Sequence, residues 1–174
     1  VAIGHVSKLS ALQPDALATV SKRMADTGIA LTVLPSTDLF LMGGGADRDV
    51  PRGTAPVHRV REHGVLCALS TNNVLNPFTP FGDCSMVRIA NLYANIAQIG
   101  TAAGHRACLD HVTADPARLM RLGDYGIRPG TPADLVVLDC TTAEDAIREI
   151  AVPLCGYKNG RRTFTRTPAE LHAP

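Results

Sequence analysis

Apolar positions in the first half of the chain follow two rhythms. At residues 2–6, 29–34 and 65–69 they form short, nearly unbroken runs of Val, Ile, Leu and Ala. Runs of that length suit strands covered on both faces. Between them the spacing changes to three and four. Leu17, Val20 and Met24 follow Gln13-Pro14-Asp15, with Pro14 suited to a first helical turn and Gly28 to a helix end. A short helix is predicted over residues 56–62, stopped at Gly64, and a longer one over 85–99, with Met86, Ile89, Tyr93 and Ile96 on one face. Strands separated by helices must pair in parallel, because each crossover carries the chain back. The chain is therefore read as α/β. Active groups in such sheets sit on loops at the carboxyl ends of the strands. Here those loops start at His5, Pro35 and Ser70.

Two stretches, 36–55 and 70–84, show neither rhythm and are read as long loops. The first carries Gly43-Gly44-Gly45 beside Met42 and is expected to be mobile. After Gly100 the pattern shifts. Helices are predicted over 102–111 and 116–122, the second with Pro116 at its first position. Turn chemistry fills 124–132, then come a strand over 133–138, a helix over 143–150 and a hairpin of 154–157 with 161–164. Its loop, Lys158-Asn159-Gly160, carries the Asn-Gly pair of a type I′ turn. We divide the chain into a unit at 1–122 and a small β segment at 123–174. A closed eight-stranded α/β barrel needs about 200 residues or more, and at most three such strands fit here.

Composition narrows the function classes. Of 174 residues, 45% are apolar and 19% charged, enough to bury a core. The formal net charge is +1 with no run of like charge, so the basic footprint of a nucleic-acid binder is missing. No apolar run nears the roughly 20 residues of a membrane helix. The first ten residues show no signal-peptide pattern, and the chain starts on Val1, which fits a true beginning elsewhere. Cysteines 67, 84, 108, 140 and 155 are odd in number and never in a C-x-x-C pair. They are read as reduced thiols of a cytoplasmic protein, with Cys67 a small core residue. His58 and His63 are five apart and His105 and His111 six. Neither pair has the i, i+4 spacing of a helical zinc site, so all four are read as packing or solvent residues. The triple glycine lacks the lysine of a phosphate loop.

Taken in order, several motifs resemble the carboxyl-terminal part of the amidohydrolase superfamily, most closely its cytosine deaminase-like branch. Ile3-Gly4-His5 resembles the sixth barrel strand with its catalytic histidine. Leu34-Pro35-Ser36-Thr37-Asp38 resembles the end of the seventh, followed by Arg52-Gly53-Thr54-Ala55-Pro56-Val57. Leu69-Ser70-Thr71-Asn72-Asn73-Val74 with Asn76-Pro77-Phe78-Thr79-Pro80-Phe81-Gly82 resembles the eighth strand and its substrate-covering loop. Residues 116–139 resemble the entry into the family's small β domain. The resemblance implies a partial TIM-like (β/α) barrel, strands six to eight, followed by a small β segment.

It also implies chemistry. Members are metal-dependent hydrolases, in which a divalent zinc or iron ion activates a water that attacks an amidine carbon and expels an amine. His5 takes the position of the water-orienting histidine, and Asn72 that of the metal-ligating aspartate. Asn73, Phe78 and Asp38 fall at substrate-binding positions, and Asn76 stands where the family usually has an acid. Asparagine is neutral and offers a metal only a weak carbonyl oxygen. No His-x-His occurs in this sequence, so the chain alone is expected to hold no metal and to be inactive. The implied substrate is a small cyclic amidine, such as a pyrimidine or triazine base. The alternative is a non-catalytic relative acting as a binding or assembly protein. Three strands leave an open edge and an inner face, to which some of Ile3, Val33, Leu34 and Leu69 should contribute. Either a homo-oligomer or a complementing amino-terminal fragment is expected to cover them.

Overall fold

A computed structural model describes residues 1–50 and 53–172; Arg52, quoted above in a family motif, lies outside the described residues. The three apolar runs form β1 (Ala2–Gly4), β2 (Ala30–Val33) and β3 (Cys67–Leu69), a parallel sheet in the order β1-β2-β3. Ile3, Leu31 and Cys67 lie in register, as do Gly4, Thr32 and Ala68. Each strand is shorter than its apolar run.

Register fixes which face is which. Leu31, Val33, Cys67 and Leu69 are buried against helices α1 (Pro14–Asp26), α3 (Val57–Glu62) and α4 (Met86–Ile96). Leu17, Met24, Val57, Val60, Ile89 and Tyr93 complete that core, with Ile3 packed at its margin. Side chains alternate along a strand, so Ala2, Gly4, Ala30, Thr32 and Ala68 form the opposite face. This corrects the expected inner face. Ile3, Val33 and Leu69 belong to the helix-covered side, and of the four only Leu34 turns toward Gly4, where a Cβ would lie 3.8 Å from its Cδ1. Large residues pack under the helices, and small ones are left on the other face.

Part of the segment read as a loop after β2 is helical. Helix α2 (Pro35–Leu41) starts with Pro35 in its first turn and places Asp38 there too. Pro35 was read as a strand stop, but its fixed φ equally suits a helix start. Helix α5 (Ala102–Asp110) is as expected, whereas α6 (Ala114–Leu119) starts two residues early and puts Pro116 at its third position. Helix α6 packs beside β3, where the Leu69 N–H donates to the His111 carbonyl at 2.8 Å and so satisfies part of the outer strand edge. A cleft of about 380 Å3 between them is lined by Thr32, Ala68, Val112, Pro116, Met120 and Tyr125.

The remaining strands, β4 (Leu135–Leu138), β5 (Pro153–Lys158) and β6 (Arg161–Thr165), form an antiparallel sheet in sequence order. Asn159 (φ 50°) and Gly160 (φ 74°) close its hairpin, the two left-handed positions a type I′ turn requires. Helix α7 (Ala143–Arg148) packs on α4 and α5, burying Ile147, whose carbonyl accepts a bond from Asn91 Nδ2 at 2.8 Å. Among the described residues no helix is long and apolar enough to cross a membrane.

Candidate active site

Just beyond the carboxyl ends of the three parallel strands, side chains far apart in sequence meet. His5 follows β1, Asp38 lies in the first turn of α2 after β2, and Asn72 follows β3. His5 Nδ1 lies 2.8 Å from Asp38 Oδ1, and His5 Nε2 lies 3.3 Å from Asn72 Nδ2. The imidazole thus bridges a buried carboxylate, whose side chain is 3% exposed, and an exposed amide; its own side chain is 48% exposed. The other Asp38 oxygen, Oδ2, is buried without a protein partner.

Backbone conformation marks the same place. His5 (φ 64°), Val6 (φ 44°) and Asn72 (φ 58°) all occupy the left-handed region. Asparagine and histidine tolerate it, but a β-branched residue such as Val6 is a true outlier there. Strained non-glycine residues cluster at functional sites.

Two of the expected residues lie next to this trio without bonding to it. Asn73 Oδ1 accepts a bond from Asn76 Nδ2 at 2.8 Å, and Asn76 Oδ1 accepts from the Phe78 and Thr79 backbone N–H groups at 3.0 and 3.1 Å. Asn76 therefore organises the tight turn that presents Phe78, whose ring is exposed. That turn is anchored below, where Thr79 Oγ1 meets Thr37 Oγ1 of α2 at 2.5 Å. Asn73 also lines a cleft of about 570 Å3 between α2, the 71–85 segment and α4, with Phe40, Phe81, Ile89 and Leu92 on its apolar walls.

A sequence model of the amidohydrolase family matches residues 2–164. The chain belongs to this family. N-isopropylammelide isopropyl amidohydrolase of Pseudomonas sp. (strain ADP) is 32% identical over 109 residues, covering 62% of this chain and 27% of that protein. Pterin deaminase of Rhizobium rhizogenes is 28% identical over 139 residues, covering 79% and 31%. In fold, the whole chain superposes on 42% of 5-methylcytosine deaminase from Klebsiella pneumoniae, liganded with 5-fluorocytosine, with a TM-score of 0.92 at 24% identity. The chain thus spans less than a third of the length of these curated relatives.

Amidohydrolases are metal-dependent, so the donors here were tested against a metal. A catalytic site needs about three protein ligands besides water. His5 Nε2 faces the NH2 end of a neutral amide, and among the described residues no three His, Cys, Asp or Glu side chains converge. These residues do not make a metal site by themselves.

The histidines set aside in the sequence do pack. His58 Nδ1 bonds to the buried Tyr93 hydroxyl at 2.8 Å, and burial lowers its pKa. His111 is buried with Nδ1 2.8 Å from Asp115 Oδ2, and Arg61 and Arg118 lie 3.6 and 3.4 Å from the same carboxylate. Burial lowers the His111 pKa although Asp115 pulls it the other way. Burial likewise pushes the Cys67 thiol up to about 12, leaving it a packing residue. The Asp115 ion cluster was missed. Its one sequence signal was the i, i+4 spacing of His111 and Asp115, which pairs a base with an acid on one helical face.

Proposed function

We propose that this chain forms the carboxyl-terminal portion of a cytosine deaminase-like amidohydrolase, contributing three strands of a (β/α) barrel and part of a small β domain. The reaction we assign to the complete centre is hydrolysis of a C–N bond in a small cyclic amidine, such as a pyrimidine or triazine base. One observation carries this reading above the rest: the His5–Asp38–Asn72 cluster at the carboxyl ends of parallel strands, where α/β sheets hold their chemistry.

In that reaction the oxygen of water joins the ring carbon and an amine leaves, so a proton must travel from the water to the departing nitrogen. His5 is the group here suited to move it, through Nε2, since imidazole changes charge near neutral pH. Asn72 stands at the position that carries a metal-ligating aspartate in the resemblance, and supplies a neutral amide there. Asn73 contributes hydrogen-bonding edges to a substrate ring, and Phe78 covers its face. Asp38, buried behind His5, acts through it. Asn72 in place of an acid also favours a second reading, a non-catalytic relative with a binding or assembly role.

A chimera separates the two. This chain would replace the matched 42% of the Klebsiella deaminase, and release of ammonia or amine would be assayed on cytosine, 5-methylcytosine and isopropylammelide. The enzyme reading predicts turnover that falls by about 100-fold or more in His5→Ala, the scale of one lost acid–base group. A folded, metal-loaded chimera without turnover would support the non-catalytic relative.

A further inference from the structure

We propose that Asp38 is a positioning residue that fixes His5 in the tautomer protonated at Nδ1, leaving the Nε2 lone pair as the acceptor that the site presents. Both ends of the imidazole require this. An ionised carboxylate only accepts, so at 2.8 Å from Asp38 Oδ1 the Nδ1 nitrogen must donate. The amide nitrogen of Asn72 only donates, so Nε2 must accept from it. The opposite tautomer would set a lone pair against the carboxylate and an N–H against the NH2 group.

The carboxylate has no competing task. Asp38 Oδ1 bonds to His5, while Oδ2 is buried without a protein partner, so the side chain serves neither as a helix cap nor as part of a wider ion network. The two residues lie 33 apart in sequence and meet only because β1 and β2 pair in parallel and α2 starts at Pro35. The contacts on either side of the ring differ in strength. The Asp38 bond is short and its carboxylate is sealed from water, whereas the Asn72 contact is 3.3 Å long and exposed. A ligand N–H or a water can therefore displace the Asn72 amide from Nε2 without disturbing the tautomer. This last step rests on the functional reading above; the tautomer does not.

Nitrogen-15 NMR of the histidine-labelled chain near pH 7.5 tests the assignment, with the His5 signals identified by their loss in His5→Gln. We expect the wild-type shifts and two-bond proton couplings to report a protonated Nδ1 and an unprotonated Nε2. Asp38→Ala removes the acceptor and Asp38→Asn offers an amide donor of the same shape. Both should move His5 toward the Nε2-protonated tautomer and leave the His58 and His111 signals in place. A wild-type His5 protonated mainly at Nε2 overturns the proposal without need of any variant, as does a tautomer unchanged in both folded variants. Failure here is distinguishable from failure of the functional reading. An inactive chimera with His5 protonated at Nδ1 sinks only the function, and an active chimera with His5 protonated at Nε2 sinks only the positioning role.

Discussion

His5 and Asn72 hold left-handed backbone conformations that cost about 1 kcal/mol or more for a non-glycine residue. Asn72 is exposed and its one side-chain bond here is the long contact to His5. Asn72→Gly should therefore raise stability by up to about 1 kcal/mol, because glycine takes φ of 58° without strain. Matched urea melts of the two proteins measure it. A loss of stability would mean that the amide holds the loop together. The residue scale is also where the sequence was most uneven as a guide. His5 was legible from its place at the end of an apolar run and from the motif order around it. Its bond to Asp38 was not, because that contact depends on where α2 starts, and Pro35 reads equally well as a strand stop or a helix start.

Among the elements, the β5–β6 hairpin was the plainest, since Asn-Gly between alternating residues specifies a turn with two left-handed positions. Gly160 has φ 74°. Gly160→Ala should cost about 1 kcal/mol, whereas Asn159→Gly should be close to neutral; thermal melts of both variants check the pair, and equal effects would contradict the turn assignment. The parallel strands were legible as apolar runs, but their faces were not. Continuous runs carry no alternation from which to read sides, and so Ile3, Val33 and Leu69 were placed opposite to where the register puts them. Helix α6 began earlier than Pro116 indicated because Asp115 occupies its first turn and pairs with His111.

Over the whole molecule, two histidines make stability depend on pH. The His58 and His111 pKa values are both lowered in the folded chain, chiefly by burial. The unfolded chain then binds more protons as pH falls through about 6.5, so stability is full above that value and is lost below it. The urea midpoint should be lower at pH 5.5 than at pH 7.5, and His111→Gln should shrink the difference. A midpoint that rises on acidification would contradict the burial account. Apolar surface at Phe40, Leu41, Leu75, Phe78 and Phe81 is exposed around the site, and a contiguous patch of this kind marks an interface. We propose that a second copy or an amino-terminal fragment covers it and pairs the β1 edge. Light scattering at micromolar concentration should show species larger than 18.4 kDa; a sharp monomer would contradict this.

The central claim is that this chain brings the proton-handling side of an amidohydrolase centre and leaves most of the metal ligands to the rest of the barrel. Metal content after dialysis against zinc and then buffer tests it most directly, measured on the chain, on its Asn72→Asp variant and on the Klebsiella chimera. The account predicts no retained zinc in the first two, since one added carboxylate does not supply the missing histidines, and stoichiometric zinc in the chimera. Stoichiometric zinc held by the isolated chain, and lost in His5→Ala, would contradict it.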